Sequence, residues 1–140
     1  MRKVLFVDDD QVVLGLYRKR LELAGFAVEV ASDGLSAMKL ANTFRPDVMV
    51  LDIMMPKFSG LDVLSYLRGQ TAFKALPVIV LSNMFVGGEQ RQAAAAGANK
   101  VLPKITCTAS QLVASIYEVL GEQPPGEPPA PAAETPGTPA

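Results

Sequence analysis

Five short apolar runs, separated by stretches of helical spacing, constrain this chain more than any other feature. The runs cover residues 3–8, 27–31, 47–52, 77–82 and 99–103. Around them, Val13/Leu16/Tyr17/Leu21/Ala24, Ala37/Ala41/Phe44, Leu61/Leu64/Leu67 and Leu112/Ile116/Val119/Leu120 recur at helical intervals. Residues 86–96, mostly alanine after Gly87 and Gly88, complete the alternation as a fourth helix. Strands that alternate with helices imply a parallel sheet covered on both faces.

The runs differ in a way that orders the sheet. VLFV, VMVL and VIVL are continuously apolar, as strands buried on both faces must be, whereas Val28-Glu29-Val30 alternates and suits an edge. A second strand at the edge matches a flavodoxin-like, doubly wound (βα)5 fold with strand order 2-1-3-4-5. Ligands in such sheets sit beyond the carboxyl ends of strands 1 and 3. The residues expected there are Asp8 and Asp52.

At 140 residues the chain has material for one domain with a proper core. Residues 122–140 form a Pro/Ala/Gly/Glu/Thr stretch that cannot bury enough apolar surface to offset chain entropy. The domain is therefore expected over residues 1–121, with 122–140 a disordered tail or linker. No run approaches the ~20 apolar residues that span a bilayer. The single cysteine, Cys107, leaves no intramolecular disulfide, which implies a reducing, cytoplasmic setting. The chain has no histidine, so Ser-His-Asp and Cys-His catalysis are excluded and any phosphohistidine must come from a partner. Beyond Lys104 there is no cation, and Glu118, Glu122, Glu127 and Glu134 are expected to stand unopposed and repel a phosphate backbone. Direct nucleic-acid binding is not expected.

Asp8, Asp9 and Asp10 follow the first run, and Asp52 ends the third. Asp10 also precedes a helical pattern and serves as an N-cap. Converging carboxylates are costly without a cation among them and suit a hard, oxygen-ligated ion such as magnesium or manganese. Asp52 can act as both ligand and nucleophile, giving an acyl phosphate. Ser82, ending the fourth run, and Lys104, just past the fifth, reach the same edge. An ammonium and a hydroxyl there can each meet a phosphoryl oxygen.

Taken together, VLFVDDD, VMVLDIMMPKFSG (with Pro56 and Gly60), VIVLSN and GANKVLPK resemble the receiver domains of two-component response regulators, including the chemotaxis regulators. The resemblance implies phosphorylation of Asp52 and magnesium held by Asp8, Asp9, Asp52 and the backbone carbonyl of Met54. It implies that Ser82 and Lys104 contact the phosphoryl group. The donor would be a phosphohistidine on a sensor histidine kinase or phosphotransfer protein, and the phosphate would be lost slowly to water. Signalling to a downstream protein would use the face around helix 4, strand 5 and helix 5.

The chain departs from the family pattern in two places. Ile105 stands where a proline usually follows the lysine, and Val101 replaces the aromatic residue that turns inward on activation. By the resemblance Met54 and Met84 flank the phosphate position: either they cannot orient an attacking water, which implies a long-lived phosphoryl group, or they are adaptable packing. Two rival readings remain open. Asp8-x-Asp10-x-Val12 resembles the opening motif of haloacid-dehalogenase-type aspartyl phosphatases, with Asp8 as nucleophile and Asp10 as acid/base. A phosphorylation-independent binding module is the other.

Overall fold

The computed structural model describes residues 2–55, 58–82, 89–104 and 107–122. Its elements are β1 (Lys3–Val7), α1 (Gln11–Leu23), β2 (Ala27–Ala31), α2 (Gly34–Phe44), β3 (Val48–Asp52), α3 (Gly60–Arg68), β4 (Val78–Ser82), α4 (Glu89–Ala95), β5 (Lys100–Pro103) and α5 (Ala109–Leu120). All strand pairs are parallel, in the order β2-β1-β3-β4-β5. The flavodoxin-like arrangement expected from the apolar runs is the one observed. Each strand begins or ends within one residue of its run. A single 3₁₀ turn at Thr71–Phe73 was not anticipated.

Successive side chains of a strand point to opposite faces, so each apolar run divides its residues between two cores. Leu5, Val7, Met49, Leu51, Val78 and Val80 face α2, α3 and α4, meeting Ala37, Ala41, Val63, Leu64, Leu67 and Ala93. Val4, Phe6, Val48, Val50, Ile79 and Leu81 face the other way, onto Leu14 and Leu21 of α1 and Leu112 and Ile116 of α5. Burying an aliphatic side chain this fully contributes about 1.5–3 kcal/mol. That is why β3 and β4 carry no polar residue before their last position, and β1 none after Lys3. At the β2 edge Glu29 and Val30 remain partly exposed.

The helix starts are fixed by side chains that take up otherwise unpaired N–H groups. Asp10 accepts from Val12 and Val13 at the head of α1, as its position implied. Ser59 with Asp62, and Thr108 with Gln111, form reciprocal capping boxes on α3 and α5. Gly121, at φ 71°, closes α5 in the left-handed conformation that favours glycine.

Two carboxylates expected to be unopposed are in fact paired. Glu118 meets Lys100, and Glu122 meets Arg2. The linear order hid this, because the opposing cations, Lys100 on β5 and Arg2 just ahead of β1, precede these glutamates in sequence and meet them only in space. Glu127 and Glu134 lie outside the described residues, as do Pro56, Met84 to Gly88 and Ile105. Among the described residues, no helix is long and apolar enough to cross a membrane.

Candidate functional site

Strand register delivers the expected residues to one rim. Val7 of β1 lies opposite Leu51 of β3, so Asp8 and Asp52 are the next step along both strands. Asp52 in turn lies opposite Leu81, and Ser82 opposite Pro103, which places Ser82 and Lys104 one step further on. Backbone bonds continue past the strand ends and hold this edge in place. Asp8 N–H donates to the Ala31 carbonyl at 3.1 Å, Ile53 N–H to Leu81 at 3.2 Å, and Lys104 N–H to Ser82 at 2.9 Å.

Asp8 and Asp52 are almost wholly excluded from water, with 0% and 2% of their surfaces exposed. Asp9 is exposed. Carboxylate oxygens from all three lie within 4.8 Å of one another. The Lys104 ammonium bridges the two buried acids, 2.7 Å from Asp8 Oδ2 and 3.3 Å from Asp52 Oδ2. Its approach to Asp8 is a charge contact outside hydrogen-bonding geometry, and that buried oxygen has no hydrogen-bond partner among the described residues. The other Asp8 oxygen accepts from Asp10 N–H at 2.9 Å, and Asp52 Oδ1 accepts from Met54 N–H at 3.3 Å.

Among the described residues, one ammonium among three carboxylates leaves the cluster short of positive charge. Burial raises the Asp52 carboxyl to about 6, and the neighbouring Asp8 pushes the same way, against Lys104 and the Met54 N–H. Burial alone would lower the Lys104 ammonium, yet Asp8 and Asp52 outweigh it and hold Lys104 above the usual lysine range. An all-oxygen donor set, an unbonded buried lone pair and surplus negative charge fit a hard divalent cation.

Ser82 is buried at the end of β4. Met54 has an exposed side chain beside Asp52. Val101 is partly buried against the core that faces α2, α3 and α4. Asp10 does not join the cluster, because its side chain is committed to the start of α1. The acid/base role that the phosphatase-like reading gave Asp10 is therefore corrected: its carboxylate is occupied as a helix cap.

The sequence places Gly60 only as a motif spacing and gives Tyr17 no role at the site. Gly60 opens α3 directly against β3. A Cβ there would sit 2.4 Å from the Asp52 carbonyl oxygen and 2.8 Å from Ile53 Cα. Tyr17 had been assigned only to the apolar face of α1. Its ring stacks on Phe6, with centroids 5.1 Å apart, and its hydroxyl donates to the Cys107 carbonyl at 2.9 Å. A tyrosine at a core-spaced position carries a polar tip that needs a partner, which was the available signal.

Comparison with known proteins agrees with this geometry. Residues 4–117 match the response regulator receiver domain. The response regulator MprA of Mycobacterium tuberculosis (strain H37Rv) is 40% identical over 102 residues, covering 73% of this chain and 44% of that protein. MprA of Mycobacterium sp. (strain KMS) is 37% identical over 127 residues, covering 91% of this chain and 54% of its own length. This chain thus spans about half the length of these relatives. The Vibrio cholerae chemotaxis protein CheY4 superposes with a TM-score of 0.80 at 30% identity, covering 85% of this chain and 98% of that one. With the fold, the acidic rim and the sequence match in agreement, the chain belongs to the response regulator receiver domains of two-component signalling.

Proposed function

We propose that the chain takes a phosphoryl group onto Asp52 from a phosphohistidine of a sensor histidine kinase or phosphotransfer protein. One observation carries this reading: Asp52 is a buried carboxylate whose neighbours among the described residues are two further acids and a single bridging ammonium. Above pH about 6 the Asp52 carboxyl is ionised and able to act as a nucleophile. Its oxygen forms a bond to phosphorus as the phosphorus–nitrogen bond breaks, and the electron pair stays on the donor imidazole. Lys104 exchanges its contact with Asp52 for one with a phosphoryl oxygen, and the Ser82 hydroxyl donates to another. Magnesium or manganese would be held by Asp8, Asp9, Asp52 and the Met54 carbonyl, and when bound supplies neutralisation of the phosphoryl charge.

The chain acts on itself in this reading and has no separate substrate turnover beyond slow loss of its own phosphate. The apolar side chain of Met54, beside Asp52, offers no group to orient water and favours a persistent phosphoryl state. Signalling passes through the face formed by α4, β5 and α5, without the inward-turning ring that Val101 replaces. The receiver unit is assigned to residues 1–121 and the tail or linker to 122–140. Any output domain and its activity lie outside this chain, and the setting is cytoplasmic.

The test is incubation of the full chain with magnesium and acetyl phosphate, or with beryllofluoride, followed by location of the modified residue. Label on Asp52 is the expected result. Label on Asp8 would select the phosphatase-like chemistry, and no label would leave a binding module that signals without phosphate.

A further inference from the structure

Lys104 can meet a phosphoryl oxygen only if the backbone that carries it is held still, and this chain lacks the proline that would stiffen that backbone. Ile105 follows Lys104 instead. Other contacts constrain the segment. Lys104 N–H is tied to the Ser82 carbonyl at 2.9 Å, and Cys107 N–H reaches back to the Pro103 carbonyl at 3.0 Å. These bonds tie Lys104 to the end of β4 and Cys107 back to the last residue of β5. The Cys107 carbonyl accepts the Tyr17 hydroxyl at 2.9 Å. Tyr17 is itself fixed, because its ring lies nearly parallel to Phe6, at 16°, and Phe6 is wholly buried in β1 two residues before Asp8. Tyr17 also lies close enough to Lys104 and Asp8 to feel both charges.

We infer that Tyr17 is a positioning residue for Lys104: its hydroxyl clamps Cys107, and through it the end of β5, to α1 and so sets the ammonium over the rim between Asp8 and Asp52. The Tyr17 hydroxyl bonds the Cys107 carbonyl and acts on Lys104 through Cys107 and the end of β5. The clamp joins β1, which leads into Asp8 and Asp9, to β5, which leads into Lys104, across α1. This inference rests on the phosphoacceptor reading and deepens it.

Tyr17→Phe keeps the ring stack and removes only the hydroxyl. The full chain is phosphorylated with acetyl phosphate while magnesium is varied, and Asp52 labelling is followed over time. The expected result is a maximum rate about two- to tenfold lower, the worth of one net hydrogen bond, with an unchanged magnesium midpoint. Tyr66→Phe, on α3 away from the rim, should match the wild type. The inference is overturned by a Tyr17→Phe rate equal to wild type, by a loss that tracks a shifted magnesium midpoint, or by an equal loss in Tyr66→Phe. A Tyr17→Phe chain unfolded at the assay temperature would assign the hydroxyl to stability and overturn it as well. If the wild type itself takes no label on Asp52, the phosphoacceptor reading fails; if only the rate difference is absent, the clamp alone fails.

Discussion

Asp52 shows how a single side chain can be kept at a cost to the fold. Its carboxyl titrates near 6 in the folded chain, against an ordinary value of 3.8. Between those values the folded state holds a proton that the unfolded chain has released, so stability is greatest at low pH and is lost as pH rises through about 6. At 1.36 kcal/mol for each tenfold step in acidity, the loss attributable to this group is no more than about 3 kcal/mol. Asp52→Asn cannot ionise. Urea unfolding in the presence of chelator is expected to show the variant gaining on the wild type from pH 4 to pH 6 and holding its lead above. A stability difference that stays flat across that window would mean that Asp52 is not protonated by its surroundings. Lys104 prevents the penalty from growing larger, since removing one partner from a buried charge cluster leaves the other charges uncompensated.

Among the elements, the β3–α3 connection is the tightest. Gly60 N–H donates to the Ile53 carbonyl at 2.9 Å, and the space where a Cβ would stand is filled by backbone of Asp52 and Ile53. Backbone on that side cannot rotate away as a flexible side chain would. Gly60→Ala is therefore expected to cost about 1–3 kcal/mol in chemical denaturation and to disturb Asp52 directly. Unchanged stability would show that α3 can slide off the strand end. Elements of this kind were only partly legible in sequence. Strand order followed from which runs were continuously apolar, and Asp10, Asp8 and Asp52 were placed by the periodicity that surrounds them. Gly60 was visible as a spacing but not as a contact. The partners of Glu118 and Glu122 were invisible because Lys100 and Arg2 are distant in sequence. The Tyr17 hydroxyl was hidden for the same reason: its acceptor is a main-chain carbonyl 90 residues away.

On the scale of the whole molecule, a cation held at the acidic rim would couple its binding to unfolding. An ion bound only by the folded chain stabilises it in proportion to the logarithm of its concentration, by about 2.7 kcal/mol at one hundred times its dissociation constant. Magnesium is expected to raise the melting temperature progressively, and chelator to reverse the effect. Asp9→Asn removes an exposed charge, so it should melt no lower than wild type without metal and need more magnesium for the same gain. A strong loss of stability in metal-free Asp9→Asn would assign Asp9 to the architecture instead.

Arg2 lies just ahead of β1, and its ion pair with Glu122 fastens the last described turn to the pole of the sheet opposite the acids. The five residues of β1 span roughly 17 Å between those poles. Glu122 therefore stands about a full strand's length from the acids, at the end of the sheet away from the rim.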